Sequence, residues 1–350
     1  MLNANEDFPA LLINAVKKNK VISIIGLAKN VSKTTTLNHI INLLKHKRTI
    51  GVTSIGRDGE PYDAITELPK PKIIIEKGTI FATAEQSLKN SDIETEFVKN
   101  TDFTTPLGNI NIYKAKNKGY IELAGPSMNK QLKELCNDMK EVGCEVIFID
   151  GAFDRRSFAT PLISDATILS TGASVSRTME SVVNLTSHIC DIFNLETVKD
   201  EKIRKISHDL LTTTQIGIIN DDFSTKKLEE STALGSSKSI FNQLTPDARY
   251  LVIKGAITDN ILDEYLINKK VKNITVIATD PTKLFVSQRT YYKFMKKGGV
   301  LKILDPITLI AITVNPTSPL GYQFDNNHFI RLLQGRINIP IFNLGPCDNL

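Results

Sequence analysis

The sequence predicts an α/β fold: a mostly parallel sheet with helices on both faces, an antiparallel insertion at about residues 70–120, and a second α/β half. Three observations carry this. Short apolar runs alternate with helical patterns along most of the 350 residues, the signature of strand–helix–strand units. The stretch PKPKIIIEKGTIFATA…GNINIYKAKNKGYIELAG breaks that alternation with strand-like segments separated by Gly and Asn turns. The length suits one large α/β domain or two domains with a sizeable core.

The elements follow in order. A first helix is expected over 9–18, then a strand over 21–26 (VISIIG), where an apolar run breaks at a glycine. A helix over 34–46 precedes a strand over 50–55. After the antiparallel stretch come a helix at 129–142, strands at 145–150 and 166–171, and a helix at 175–193. The remaining strands fall at 215–220, 250–254, 274–278, 308–314 and 340–344, with helices at 257–268, 281–297 and 327–334. The polar segment KKLEESTALGSSKS reads as a loop or linker. A division near residue 226 is expected there, giving regions 1–225 and 226–350, the second either a separate half or a continuation of the same sheet.

Composition excludes several classes. Hydrophobic residues make up 41% and charged residues 23%, ordinary for a globular protein. No window approaches the roughly 18 uninterrupted apolar residues of a membrane helix. The N-terminus, MLNANEDFPALLINAVKKNK, has acidic residues where a secretory signal carries basic ones, so a cytoplasmic location and no membrane partner are expected. The four cysteines, Cys136, Cys144, Cys190 and Cys347, form no C-x-x-C pair, which argues against a zinc ribbon or a disulfide framework. Cys144 and Cys190 sit in apolar stretches and read as core thiols. The net charge is only +5. The KHKR run at 45–48 complements a helix C-terminus, and basic residues do not alternate with stacking aromatics. Nucleic acid is not the expected partner.

The chemistry concentrates in GLAKNVSKTTTLN after the first strand. It approaches the phosphate-binding pattern G-x-x-x-x-G-K-[ST], but Ser32 stands where that pattern has glycine, and Gly26 lies one place before its first glycine. A phosphate loop needs curled backbone N–H groups, a lysine, and a helix N-terminus. Gly26, Lys29, Asn30, Ser32, Lys33, Thr34 and Thr35 are the candidate binding residues, with Thr34 as a Mg²⁺ ligand. The competing reading is a strand–turn–helix whose lysines serve solubility.

Three further segments bear on the choice. CEVIFIDG closes an apolar run on Asp150, either a metal-holding acid or an aspartate ending a buried strand. GVTSIGRDGEPYD brings Arg57, Asp58 and Glu60 to the carboxyl end of the second strand, where ligands bind in open α/β sheets. It reads equally as a polar turn. DGAFDRRSFATP places Asp154, Arg155, Arg156 and Ser157 just beyond Asp150, with one arginine read as structural. Late in the chain, TVNPTSPLGYQFD offers Asn315 to a nucleotide base, or simply an Asn-Pro turn. No guanine-reading N/T-K-x-D motif is visible.

Taken together, GLAKNVSKTTTLN, GVTSIGRDGEPYDAIT with KPKIIIEKGTIFATA, FIDGAFDRRSFATPLISDATILSTGAS and VNPTSPLGYQFD resemble one family. The chain resembles the P-loop subunit of the reactivases for lysine 5,6-aminomutase and ornithine aminomutase, over roughly residues 21–344. Lys29, four residues before Lys33, resembles the loops of the MobB and dethiobiotin-synthetase-like branch of P-loop NTPases. The resemblance implies an ATPase using ATP and Mg²⁺ that lets damaged cobalamin leave an adenosylcobalamin-dependent aminomutase. It implies a second, MutS-related subunit as partner and leaves room for a homodimer in which Lys29 acts in trans. Lys33, Asp58 and Lys29 are the expected catalytic groups, and Thr34, Asp58 and Asp150 the metal ligands. Ser32 puts the rate of hydrolysis in question more than binding. The rivals are a dethiobiotin-synthetase-like ATP-dependent small-molecule ligase and a nucleotide-binding scaffold that does not hydrolyse.

Overall fold

The computed structural model describes residues 4–58, 72–152, 159–268 and 270–344. In chain order the main elements are α1 (Ala4–Lys18), β1 (Val21–Gly26), α2 (Lys33–Leu44), β2 (Ile50–Ser54), β3 (Ile80–Ala84), β4 (Thr95–Thr105), β5 (Gly108–Ala115), α3 (Asn129–Glu141), β6 (Val146–Ala152), β7 (Ala166–Gly172) and α4 (Met179–Phe193). They continue with α5 (Glu201–Thr213), β8 (Ile216–Asn220), β9 (Thr225–Lys227), β10 (Ala248–Ile253), α6 (Asp259–Ile267), β11 (Thr275–Ala278), α7 (Gln288–Lys296), β12 (Val300–Ile303), β13 (Leu309–Asn315), α8 (Asn326–Gln334) and β14 (Ile341–Phe342). No helix among the described residues is long and apolar enough to cross a membrane.

The chain divides into two compact units. The first comprises residues 1–187 with 308–350, and the second 188–307. The polar segment at 226–239 thus lies inside the second unit, and the chain returns to the first unit at residue 308.

The first unit holds a nine-stranded sheet in the order β14-β13-β7-β1-β6-β2-β3-β5-β4. Strands β14 to β3 run parallel, while β5 and β4 are antiparallel. The stretch expected to be an antiparallel insertion therefore extends the main sheet: β3 pairs with β2 in parallel before the β4–β5 hairpin caps the edge. Side-chain alternation assigns the two faces. Ile22, Ile24, Val52, Phe148 and Ile168 share one face and a core with Phe8 and Leu12 of α1 and Leu37, Ile40, Ile41 and Leu44 of α2. Leu37, Ile40, Ile41 and Leu44 recur at helical spacing, so one stripe of α2 is buried, each side chain contributing about 1.5–3 kcal/mol. Gly51 and Ile147 point to the other face. A side chain at Gly51 would meet Met139 of α3, Cys144 and Ile147 at 2.9–3.0 Å, so α3 covers that side.

The second unit has its own five-stranded sheet, β9-β8-β10-β11-β12. Strands β10, β11 and β12 are parallel, whereas β8 is antiparallel to both neighbours. Its core includes Phe241, Leu251, Leu262, Tyr265, Val276 and Phe294. The helix expected over 281–297 is interrupted. The Asp280 carboxylate accepts from the Thr282 N–H, starting a 3-10 turn at Pro281, and Leu284–Phe285 then runs extended beside Ile257–Thr258. Only at Ser287, whose hydroxyl accepts the Thr290 N–H, does α7 begin.

Candidate functional site

The carboxyl ends of β13, β7, β1, β6 and β2 line one edge of the nine-stranded sheet, where α/β folds bind ligands. The strand registers give a row of paired positions, Thr313–Ser170–Gly26–Ala152, crossing the sheet below the start of α2. The row beneath it is Ala311–Ile168–Ile24–Asp150–Ser54. Both rows belong to the face that α2 covers, so Asp150 stands on the same face as the loop at 27–32, one strand away. Asp150 is fully buried.

The loop has a specific backbone shape. Asn30 has φ 59° and Ser32 has φ 65°, while Val31 between them and Lys33 after them have negative φ. Alternation of left-handed with negative-φ residues is the backbone pattern from which anion-binding concavities are built, with successive N–H groups turned toward one side. Ser32 is the N-cap of α2 in the left-handed region and makes no side-chain cap. The first-turn N–H groups thus have no acceptor within the helix. Asn30 tolerates the left-handed region comparatively well; Ser32 adopts it at a cost of roughly 1 kcal/mol.

Gly26 is explained by Lys33. A methyl group at Gly26 would stand 2.8 Å from Lys33 Cγ and Cδ and 2.6 Å from Val31 Cγ2. The lysine stem therefore lies across the glycine, held against the mouth of the loop. Lys33 and Thr34 are half-buried, Thr35 is buried, and Lys29 is exposed.

Buried hydroxyls fix the loop from below and beside. Thr36 Oγ1 lies 3.0 Å from both the Ser32 carbonyl and Thr313 Oγ1, its one proton shared between the two acceptors, and Thr313 Oγ1 bonds Ser170 Oγ at 2.8 Å. Such hydroxyls cost several kcal/mol if left unpaired in an apolar interior, so the chain of bonds locks α2 onto β7 and β13. The Leu27 N–H donates to the Ser170 carbonyl at 2.9 Å. The Asn30 carbonyl accepts from Ser174 Oγ at 3.1 Å and from Asn315 Nδ2 at 3.4 Å. Asn315 Oδ1 also accepts the Thr317 N–H at 3.0 Å, so both ends of its amide bind the loop and its own turn. Ser170, Ser174, Thr36 and Thr313 were not among the residues expected at the site. Ser170 and Thr313 close the strands ILSTG and AITVN, but nothing local in the sequence marks any of the four as partners of the loop.

Asp58 enters through its backbone: Arg57–Asp58 pairs antiparallel with Leu123–Ala124, directly after β2. The approach is close, because a side chain at Gly125 would collide with the Ser54 carbonyl at 1.8 Å. Glu60, Asp154, Arg155, Arg156, Ser157 and Cys347 lie outside the described residues.

Chemistry other than anion binding is less well supplied. Burial pushes the thiols of Cys136, Cys144 and Cys190 up to about 12, which keeps them protonated and inert. Among the described residues no three His, Cys, Asp or Glu side chains gather as a metal cage. A hydroxyl, one buried carboxylate and phosphate oxygens form the donor set suited to Mg²⁺, which takes few protein ligands. Thr34 and Asp150 fit that pattern. No protein-family model, curated protein or solved structure matches the chain.

Proposed function

We propose that the chain binds ATP with Mg²⁺ over residues 26–35 and, as the reactivase resemblance implies, uses its hydrolysis to promote exchange of damaged cobalamin in an adenosylcobalamin-dependent aminomutase. The carrying observation is the loop: backbone handedness alternates over 30–33 immediately before a helix N-terminus, and Lys33 folds over Gly26. That donor set suits a phosphate chain, since the N–H groups, the helix dipole and the ammonium all favour the same anion.

In this reading the loop N–H groups and Lys33 hold the β- and γ-phosphates. Thr34 and Asp150 would hold Mg²⁺, with Asp58 approaching from the short strand after β2. The metal, when bound, neutralises charge on the phosphate oxygens. Lys29, exposed at the loop's outer side, would reach the γ-phosphate or a partner subunit. Asn315 would transmit the state of the loop to the 315–324 turn, because its amide joins the two. The MutS-related subunit and the mutase are the partners this function requires.

A scaffold that binds nucleotide without hydrolysis has one observation in its favour, the side chain at Ser32 where a phosphate loop carries none. The experiment is Mg²⁺-dependent ATP binding and hydrolysis by wild type, Lys33→Ala and Ser32→Gly, with and without an aminomutase and the MutS-related subunit. Turnover that requires Lys33 and rises with the partners supports the reactivase. Binding without turnover in every mixture supports the scaffold, and turnover indifferent to partners supports a small-molecule ligase. Absence of nucleotide binding refutes all three.

A further inference from the structure

The second unit contains a cavity of about 530 Å³ between the end of α4, the outer face of α7 and the edge strand β12. That size is in the range of small-molecule sites. Its walls include Tyr291, Tyr292 and Met295 of α7, Leu301 of β12, and Asp191 of α4. The Tyr291 and Tyr292 rings lie 5.7 Å apart and tilted by 50°, and Tyr292 and Met295 are 54% and 39% exposed, so an aromatic and a thioether surface stand open to a ligand.

Asp191 is misplaced for helix stability. It occupies the last turn of α4, which contains no basic residue. The helix dipole is negative there, so a carboxylate is disfavoured and a cation favoured. Asp191 is exposed, and partial desolvation at the cavity rim pushes its carboxyl up, countered by His188 one turn earlier. Burial first, and then the Asp191 carboxylate, raise the Tyr291 phenol, so the carboxylate and the ring act on one another across the cavity. The one cation among the lining residues, Lys302, pairs with Glu196 at 3.5 Å. A residue that breaks a local stability rule without structural return marks a functional position.

We infer that this cavity binds a small organic cation, its ammonium group placed between the Asp191 carboxylate and the faces of Tyr291 and Tyr292. Aromatic faces and a carboxylate at a helix C-terminus attract the same charge, while Met295 and Leu301 suit the carbon frame of such a ligand. The site lies wholly in the second unit and is independent of the nucleotide reading.

The test uses the full chain with choline and its uncharged isostere, in which a tert-butyl group replaces the trimethylammonium group, titrated by calorimetry. Choline is expected to bind with Kd on the order of 1 mM and the isostere at least about tenfold more weakly. Asp191→Asn and Tyr292→Ala should each weaken choline by about fivefold or more. Asp191→Asn should at the same time raise the Tm, because it removes a charge from the negative end of α4. Equal binding of choline and isostere, undiminished binding by Asp191→Asn, or no saturable binding of choline overturns the inference. A lowered Tm for Asp191→Asn with no change in choline affinity would show the carboxylate to be structural, and would overturn it as well.

Discussion

Ser32 holds a backbone conformation that glycine reaches without strain, at φ 65°. Replacing it by glycine relieves a left-handed penalty of about 1 kcal/mol and gives part of that back through the freer unfolded chain. Ser32→Gly is therefore expected to be neutral or stabilising by up to about 1 kcal/mol in chemical denaturation. Ser32→Val, β-branched at positive φ, should lose about 2 kcal/mol. Gly26 is constrained from outside. Its missing side chain is the space that Lys33 and Val31 fill, so Gly26→Ala should leave the fold intact yet weaken the proposed nucleotide binding about tenfold, equivalent to 1.4 kcal/mol, in an equilibrium titration. The loop's own residues were legible in the sequence because a lysine, a hydroxyl and a strand-ending glycine occur within ten positions. The hydroxyls that anchor it were not. Thr36 meets Thr313 across 277 residues and Ser170 meets Thr313 across 143, and no local pattern announces such a pairing.

At the scale of elements, caps and staples carry the testable energetics. The Asp200 carboxylate accepts the N–H groups of Lys202 and Ile203 at 2.9 and 3.1 Å, so Asp200→Ala should cost about 1 kcal/mol through fraying of α5. Glu145 joins the turns before β2 and β6. The Thr49 N–H and then the Arg48 guanidinium, both at 2.7 Å, hold its carboxyl below the usual range. A depressed carboxyl contributes stability above its unfolded pKa and loses it as pH falls through the folded one. Glu145→Gln should accordingly be less stable than wild type at neutral pH, by under about 1 kcal/mol after solvent screening. The gap should close on acidification past the ordinary glutamate range, as followed by thermal unfolding at several pH values. Most parallel strands were legible from their apolar runs. Helix α5 was not, because EKIRKISHDLLTT buries only Ile203, Ser207, Leu210 and Leu211, a thin stripe on a polar sequence. The role of β3 was hidden for a different reason. Its parallel pairing with β2 rests on two residue pairs, Gly51–Ile80 and Val52–Phe81, and such a short register leaves no trace in composition.

At the scale of the whole molecule, the first unit is discontinuous in sequence. Strand β13 pairs with β7 and β14, while Thr313 and Asn315 brace the loop at 27–32. A chain ending at Ile307 retains the complete sheet and core of the second unit but exposes the edge of β7. It should show a second unit with native-like amide protection in hydrogen exchange, together with no detectable nucleotide binding. The same connectivity bears on how the protein is made. Domains fold as they leave the ribosome, N-terminal parts first, and contacts between distant residues close slowly. Here β1 waits for strands far downstream: it belongs to a sheet that stays open until residues 309–342 have been synthesised. During that interval the second unit has all its strands and can fold ahead of its older neighbour. A nascent chain that has not reached residue 309 therefore carries the whole loop sequence at 26–35 without the brace that shapes it, and the proposed nucleotide site should take its form only after Thr313 and Asn315 have been added.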